Sequence, residues 1–273
     1  MIEIPESRTL ARQLSETMKG KRIETVHAGT SPHKFAFFTG APEEYAHKLE
    51  GETVDDAEAL AGIIQLRIGQ LCLTFHDGTN LRFFQAGEKT PEKHQLYMEF
   101  TDKTVLTCSV QMYGGIHLFK ESENDDIYYL AAKSKPSPLT DAFDFSHFCA
   151  IWDEAKPTLS VKGLLATEQR IPGLGNGVLQ DILFRAGVNP KSKLRDLQKK
   201  RQSIFDSVKG TLAEMTEKGG RDTEKDLFGN FGGYQTILSN KTWKKPCPVC
   251  GSTIERKAYL GGNVYACPVC QPL

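Results

Sequence analysis

Four of the seven cysteines in this 273-residue chain lie within its last 27 residues, as CPVCGSTIERKAYLGGNVYACPVC. The pattern is Cys247-x2-Cys250, sixteen residues, then Cys267-x2-Cys270. Each CxxC knuckle turns two sulfurs towards one point, and two knuckles at this spacing supply the tetrahedral thiolate set of a structural zinc site. The intervening YLGGNVYA reads as a β-hairpin, with Gly261-Gly262 giving the backbone freedom a tight turn needs. Disulfide pairing is the competing reading. It fits poorly with a chain that starts without the apolar core of a secretory signal. Cys72, Cys108 and Cys149 sit in apolar stretches and read as core thiols.

A metal-stapled hairpin at one end leaves about 245 residues to organise, enough for two further units. No apolar run approaches the ~18 residues of a membrane span, so the chain reads as a cytoplasmic protein with no membrane partner. Zero net charge conceals an asymmetry: residues 1–133 carry 14 Lys+Arg against 20 Asp+Glu, and residues 134–273 carry 20 against 14. A polyanionic partner is therefore expected at the second half. ESRTLARQLSETMKG places Leu10, Leu14 and Met18 on one helical face and stops at Gly20. Residues 23–120 then read as short strands. Asp77-Gly78 is a hairpin signal inside IIQLRIGQLCLTFHDGTNLRFF, and LYMEFTDKTVLTCSVQMY reads as a second hairpin. Many strands behind one helix suggest a sandwich or barrel. KSKPSPLTDAFDFS reads as a linker, and helical patterns are expected from there to the knuckles.

Two stretches carry candidate chemistry. The chain begins Ile2-Glu3-Ile4-Pro5-Glu6, a carboxylate and a stiff turn where most chains fray. In VKGLLATEQRIPGLGNGVLQDILFRAG, a glycine-rich turn ending Gly175-Asn176 separates two helical patterns. Backbone N–H groups at such a helix start suit a phosphate, with Asn176 as a further donor and Lys162 as a charge; a plain helix–turn–helix with no ligand is the alternative. The basic run KSKLRDLQKKRQ, residues 191–202, reads as a solvated helix face.

On these residues the chain resembles the formamidopyrimidine-DNA glycosylase / endonuclease VIII family. The matching elements are GLGN…ILFRAG, PSPLTDAFD, the CxxC…CPxCQ finger and the x-E-x-P-E start. The resemblance spans essentially the whole chain and is stronger from linker to finger. It implies an α+β multidomain fold: an N-terminal β-sandwich with a leading helix (1–133), a linker (134–148), a helical helix–two-turn–helix DNA-binding domain (149–240) and a four-cysteine zinc finger hairpin (241–273). It implies a monomer holding double-stranded DNA, damaged or abasic, in the cleft between the domains. Family members flip a damaged base, cut its glycosidic bond, and usually cleave the abasic strand.

Several positions depart from the family. Relatives expose a proline after Met1, whose secondary amine attacks the sugar; here Ile2 stands there, and a bulky second residue is expected to keep Met1 in place. A lysine expected in an R-x-G-K strand aligns with Gln70, the gap-filling arginine with Met112, and the finger arginine with Asn263. All four changes fall where relatives touch DNA or sugar. Glu3 is kept, matching the carboxylate that protonates sugar or base, and a cleft beside phosphates is expected to raise its pKa. Lys162, Gly175 and Asn176 match the phosphate-binding positions, Met112 and Tyr113 form a candidate apolar wedge, and residues 217–235 are the candidate cover for a flipped base. The resulting expectation is a hydrolytic, Glu3-assisted DNA glycosylase with weak or no lyase activity. The alternative is an inactive protein that binds lesions or abasic sites.

Overall fold

The computed structural model describes residues 1–273. Helix α1, Ile4–Met18, leads the chain and lies between two hydrophobic cores. Pro5 in its first turn pre-sets the helical φ, and the Glu3 N–H donates to Glu6 Oε2 at 3.2 Å, satisfying one donor at the helix start. Leu10, Ala11, Leu14 and Met18 pack with Ile2 into a core of 26 buried residues, whereas Ile4 packs into a second core of 22. Burial of α1 on both sides makes it the joint between the two units.

The first core belongs to a seven-stranded sheet: β1 (Ile23–Ala28), β2 (Ala36–Phe38), β3 (Asp56–Leu60), β4 (Ile63–Ile68), β5 (Leu71–Phe84), β6 (Leu96–Phe100) and β7 (Val105–Lys120). Short helix α2, Tyr45–Leu49, packs beside β1. The order is β1-β6-β7-β5-β4-β3, antiparallel throughout, with β2 added parallel to β7. Long strands β5 and β7 run through both halves, and both halves fill one core, so the sheet folds onto itself as a sandwich. The β6–β7 hairpin is as expected.

Asp77-Gly78 is not a hairpin turn. β5 continues through it, and the turn between β4 and β5 lies at Gly69-Gln70. Asp77 pairs with Gly114 and Thr79 with Val110, so the single residue Gly78 faces the three residues Gln111–Tyr113. This is an irregular bulge. Asp77 adopts φ +58, and a Cβ at Gly78 would lie 2.5 Å from the Tyr113 carbonyl oxygen. An Asp-Gly pair provides that geometry as readily as a turn.

Helix α3, Ile127–Ser134, ends at the start of the expected linker, and α4, Phe145–Glu154, begins inside it, capped by Asp144, whose carboxylate accepts the His147 N–H at 2.7 Å. Helices α5 (Val161–Ala166), α6 (Asn176–Arg185) and α7 (Arg201–Glu217) complete the second core. The helical pattern expected up to the knuckles stops at α7; residues 218–246 form turns and isolated bridges, consistent with the glycines and polar residues of EKGGRDTEKDLFGNFGGYQ. Strands β8 (Glu255–Tyr259) and β9 (Gly262–Ala266) form the expected hairpin, with Leu260 and Gly261 both at positive φ in the turn. A third core of six residues, including Cys247 and Cys267, sits behind it.

Candidate active site and DNA-facing junction

Glu3 lies where the two large units meet. Its side chain is 3% exposed, and both oxygens are engaged: Gly177 N–H donates to Oε1 at 2.8 Å and Val178 N–H to Oε2 at 2.7 Å. These are orphan donors in the first turn of α6, so the carboxylate occupies the anion seat that the glycine-rich turn was expected to offer a phosphate. Gly175 is required for this approach, since a Cβ there would lie 2.5 Å from Glu3 Oε1. A second close crossing, where Gly173 meets Gly62 and its carbonyl accepts the Ile4 N–H at 3.0 Å, holds the same junction shut.

Arg221 completes the cluster. Its Nε and one terminal nitrogen donate to the two oxygens of Glu6 at 3.0 and 2.9 Å, and the other terminal nitrogen is 3.6 Å from Glu3 Oε2. All three side chains are at most 5% exposed. Two carboxylates share one guanidinium, and the cluster is short of one positive charge. Burial raises the Glu3 carboxyl above the ordinary range, opposed by Arg221 and the two α6 N–H groups and reinforced by Glu6. Arg221 is not legible in the sequence, because its partner is 215 residues away. Glu6 serves the helix start and this ion pair.

The amino end is anchored twice. Ile2 is buried in the sandwich core and its N–H donates to the Asp77 carbonyl at 2.7 Å; the Met1 ammonium is paired with Glu224. Residues 217–235 are the segment expected to cover a flipped base, and the stretch 220–227 within it is tied to α1 and the sheet. Arg221 holds Glu6, Asp226 accepts from Gln13 at 3.0 Å, and Leu227 exchanges backbone and side-chain bonds with Phe83 and Gln13. Phe228 and Phe231 remain exposed.

Asn176 and Lys162 gather on the other side of Gly175. Asn176 Nδ2 donates to the Asn263 carbonyl at 2.9 Å, and Lys162 Nζ to the Tyr259 carbonyl at 2.7 Å, so both reach the β8–β9 hairpin. Lys162 is buried, which lowers its pKa. Gln180, a residue with no sequence signal of its own, accepts the Tyr265 N–H at 2.9 Å and donates to the Asn176 carbonyl at 2.8 Å, locking α6 to β9. Asn263 presents an exposed side chain beside them.

Met112 and Tyr113 project from the β7 bulge, 70% and 42% exposed. They are not strand-end core residues; the unpaired three-residue excursion lifts them off the sheet. The Tyr113 hydroxyl pKa is raised by burial, then by Asp77 and Glu3, and the bulge that carries it is tethered to the junction by the Ile2 N–H bond to the Asp77 carbonyl. Gln70 is not brought there. It is exposed at the β4–β5 turn beside Lys120 and Lys133. The turn that does reach Glu3 is Leu60-Ala61-Gly62, at the other end of β4, about 17 Å away for a six-residue strand.

The four Sγ atoms of Cys247, Cys250, Cys267 and Cys270 lie within 4.8 Å of one another. Val249 and Cys270 donate backbone N–H bonds to Cys247 and Cys267 sulfurs at 3.5 and 3.4 Å, as in knuckles that hold thiolates. The donor set and spacing fit a tetrahedral metal ion. Cys72 and Cys108 are buried and Cys149 partly so, away from this cluster.

A buried acid on a helix start, a bulged apolar tip and a four-thiol hairpin are set on two units joined through one leading helix, the second carrying a candidate metal site. The Formamidopyrimidine-DNA glycosylase N-terminal domain family profile matches residues 1–131. The chain is 29% identical over 280 residues to the formamidopyrimidine-DNA glycosylase of Bacillus subtilis, with 99% of each chain covered. It superposes on Lactococcus lactis Fpg in complex with DNA containing an abasic site, with TM-score 0.85, 23% identity, and 99% and 100% coverage. For the MutM (Fpg) protein of Thermus thermophilus the TM-score is 0.80, with 24% identity and 98% coverage of each chain. Over essentially its whole length the chain is similar to formamidopyrimidine-DNA glycosylases, and it shares their fold.

Proposed function

We propose that this chain is a DNA glycosylase of base-excision repair that removes a damaged base by hydrolysis, with Glu3 as the acid and with little or no lyase activity. The observation carrying this reading is the Glu3 carboxyl, buried in the junction against the first turn of α6 and raised in pKa by that burial. A carboxyl whose pKa is raised by burial is suited to give its proton to a departing base or sugar oxygen. Lyase chemistry by an amine is disfavoured, because the Ile2 nitrogen is an amide bonded to Asp77 and the Met1 ammonium is paired with Glu224.

The partner is double-stranded DNA, damaged or abasic, as in the relatives' complexes with abasic-site and Fapy-dG DNA. Asn176, Lys162, Gly175 and Asn263 form the phosphate-facing side, and Met112 and Tyr113 the wedge that fills the gap left by a flipped base. Zinc is the metal held by the four cysteines, in a structural role. Cores drawn mainly from residues 1–133 and from 149–240, with a small one at the finger that also takes in Phe184 and Leu238, support a division into sandwich (1–133), helical domain (149–240) and finger (241–273). The same reading makes the protein a cytoplasmic monomer.

The test is incubation with duplexes carrying uracil, an oxidised purine, an oxidised pyrimidine or an abasic site, with and without hot alkali. Breaks that need alkali are expected on at least one damaged base. Tight binding to abasic DNA with no excision of any base would instead establish the inactive, lesion-binding reading.

A further inference from the structure

We propose that Asp77, held by His76, is the general base that directs water at the sugar carbon during base excision. The assignment rests on the glycosylase reading above and names a second carboxylate for it. Hydrolysis of a glycosidic bond commonly uses two carboxyl groups, one protonated and one ionised, flanking the scissile bond with space for water. Glu3 is the buried member. A partner for it has to be reached by solvent and fixed close by.

Asp77 meets both conditions. Its side chain is 46% exposed. Its carbonyl accepts the N–H of Ile2, the residue immediately before Glu3, at 2.7 Å, so the β5 bulge is tethered to the segment that carries the acid. Tyr113 borders the same bulge, its carbonyl oxygen lying 2.5 Å from where a Cβ on Gly78 would sit. His76 Nδ1 lies 3.1 Å from an Asp77 carboxylate oxygen, within hydrogen-bond reach, so the ring holds the carboxylate in place. The His76 ring in turn packs edge-on against His117 at 4.8 Å, which fixes its orientation. Asp77 also holds φ +58, a conformation that costs a non-glycine residue energy and that the bulge imposes. The sheet alone would be served as well by glycine at this position, and a strained, oriented, solvent-reached carboxylate is the feature the strain obtains.

In the step assigned, the water oxygen bonds to C1′ as the C1′–N bond breaks. The bonding pair leaves with the base, which takes the proton from Glu3, and the water's proton passes to Asp77. The products are the free base and an abasic sugar, with no oxidant, metal or amine consumed.

The test uses the full-length protein in single-turnover excision, read after hot alkali, together with fluorescence anisotropy on a duplex bearing an abasic analogue. Asparagine tolerates positive φ as aspartate does, and the Ile2 bond is to the backbone, so Asp77→Asn keeps the fold. Excision by Asp77→Asn is expected to fall about 100-fold or more, with abasic affinity within threefold of wild type, and Asp77→Glu is expected to recover part of the rate. Excision by Asp77→Asn within threefold of an active wild type overturns the assignment and leaves the glycosylase reading standing. A wild type that excises none of the bases overturns both.

Discussion

Replacing Arg221 by methionine removes the cation that two buried carboxylates share. Glu3 and Glu6 would then lie in the junction at 3% and 5% side-chain exposure with no guanidinium, and Glu6 would lose both side-chain bonds it receives, at 3.0 and 2.9 Å. Breaking a buried ion pair from one side costs about 3–5 kcal/mol, because the remaining charge stays desolvated. At about 2–4 °C per kcal/mol for a chain of this size, Tm should fall by about 6–20 °C in differential scanning calorimetry. The same loss frees residues 219–231 from α1, so limited proteolysis should cut first within that segment. The double variant Glu6→Gln/Arg221→Met should be destabilised less than the two single variants together, with a coupling of about 0.5–3 kcal/mol. A Tm drop under about 3 °C for Arg221→Met, or additivity in the cycle, would refute the cluster's structural role.

Five other outcomes are expected. Glu3→Gln should reduce excision by about 100-fold or more while abasic-site binding persists, measured by the same alkali and anisotropy assays. Because the Glu3 pKa is raised in the folded protein, its proton is present at low pH and lost as pH rises through the raised value, so the wild-type excision rate should fall over that interval. The linked stability has the same sign: this group's contribution is complete below the unfolded carboxyl pKa and is lost as pH climbs through the folded one, as urea midpoints across pH would register. Lys162→Met should lower the slope of log affinity against log salt by about 0.9, and an unchanged slope would confine Lys162 to bracing Tyr259. A strong chelator should release one zinc per chain, collapse the β8–β9 hairpin in NMR spectra and weaken DNA binding; intact affinity after metal loss would contradict the finger's part.

Local signals carry most of what the sequence makes legible. The knuckles are readable because ligand type and spacing lie within 24 residues, and α1 because Leu10, Leu14 and Met18 repeat on one face. Asp77-Gly78 misleads because the same dipeptide suits a hairpin or a bulge, and only the register against Gly114 and Val110 separates them. Gln70 is placed by its R-x-G context, whereas the chain brings Leu60-Ala61-Gly62 to the acid instead. Arg221, Gln180 and Glu224 give no sequence signal, since each acts through a partner more than 80 residues away. The anion seat of α6 lies where the glycine-rich turn indicates, but its occupant is a carboxylate from the other end of the chain.

Whether a covalent amine intermediate forms is the most direct question to ask of this active site. Lesion-bearing and abasic duplexes should be incubated with the protein in the presence of sodium borohydride and resolved on a denaturing gel. With Met1 paired to Glu224 and Ile2 an amide, no trapped protein–DNA adduct is expected, and strand breaks only after alkali. A borohydride-stabilised adduct joined through the Met1 amine, with breaks appearing without alkali, would contradict that expectation.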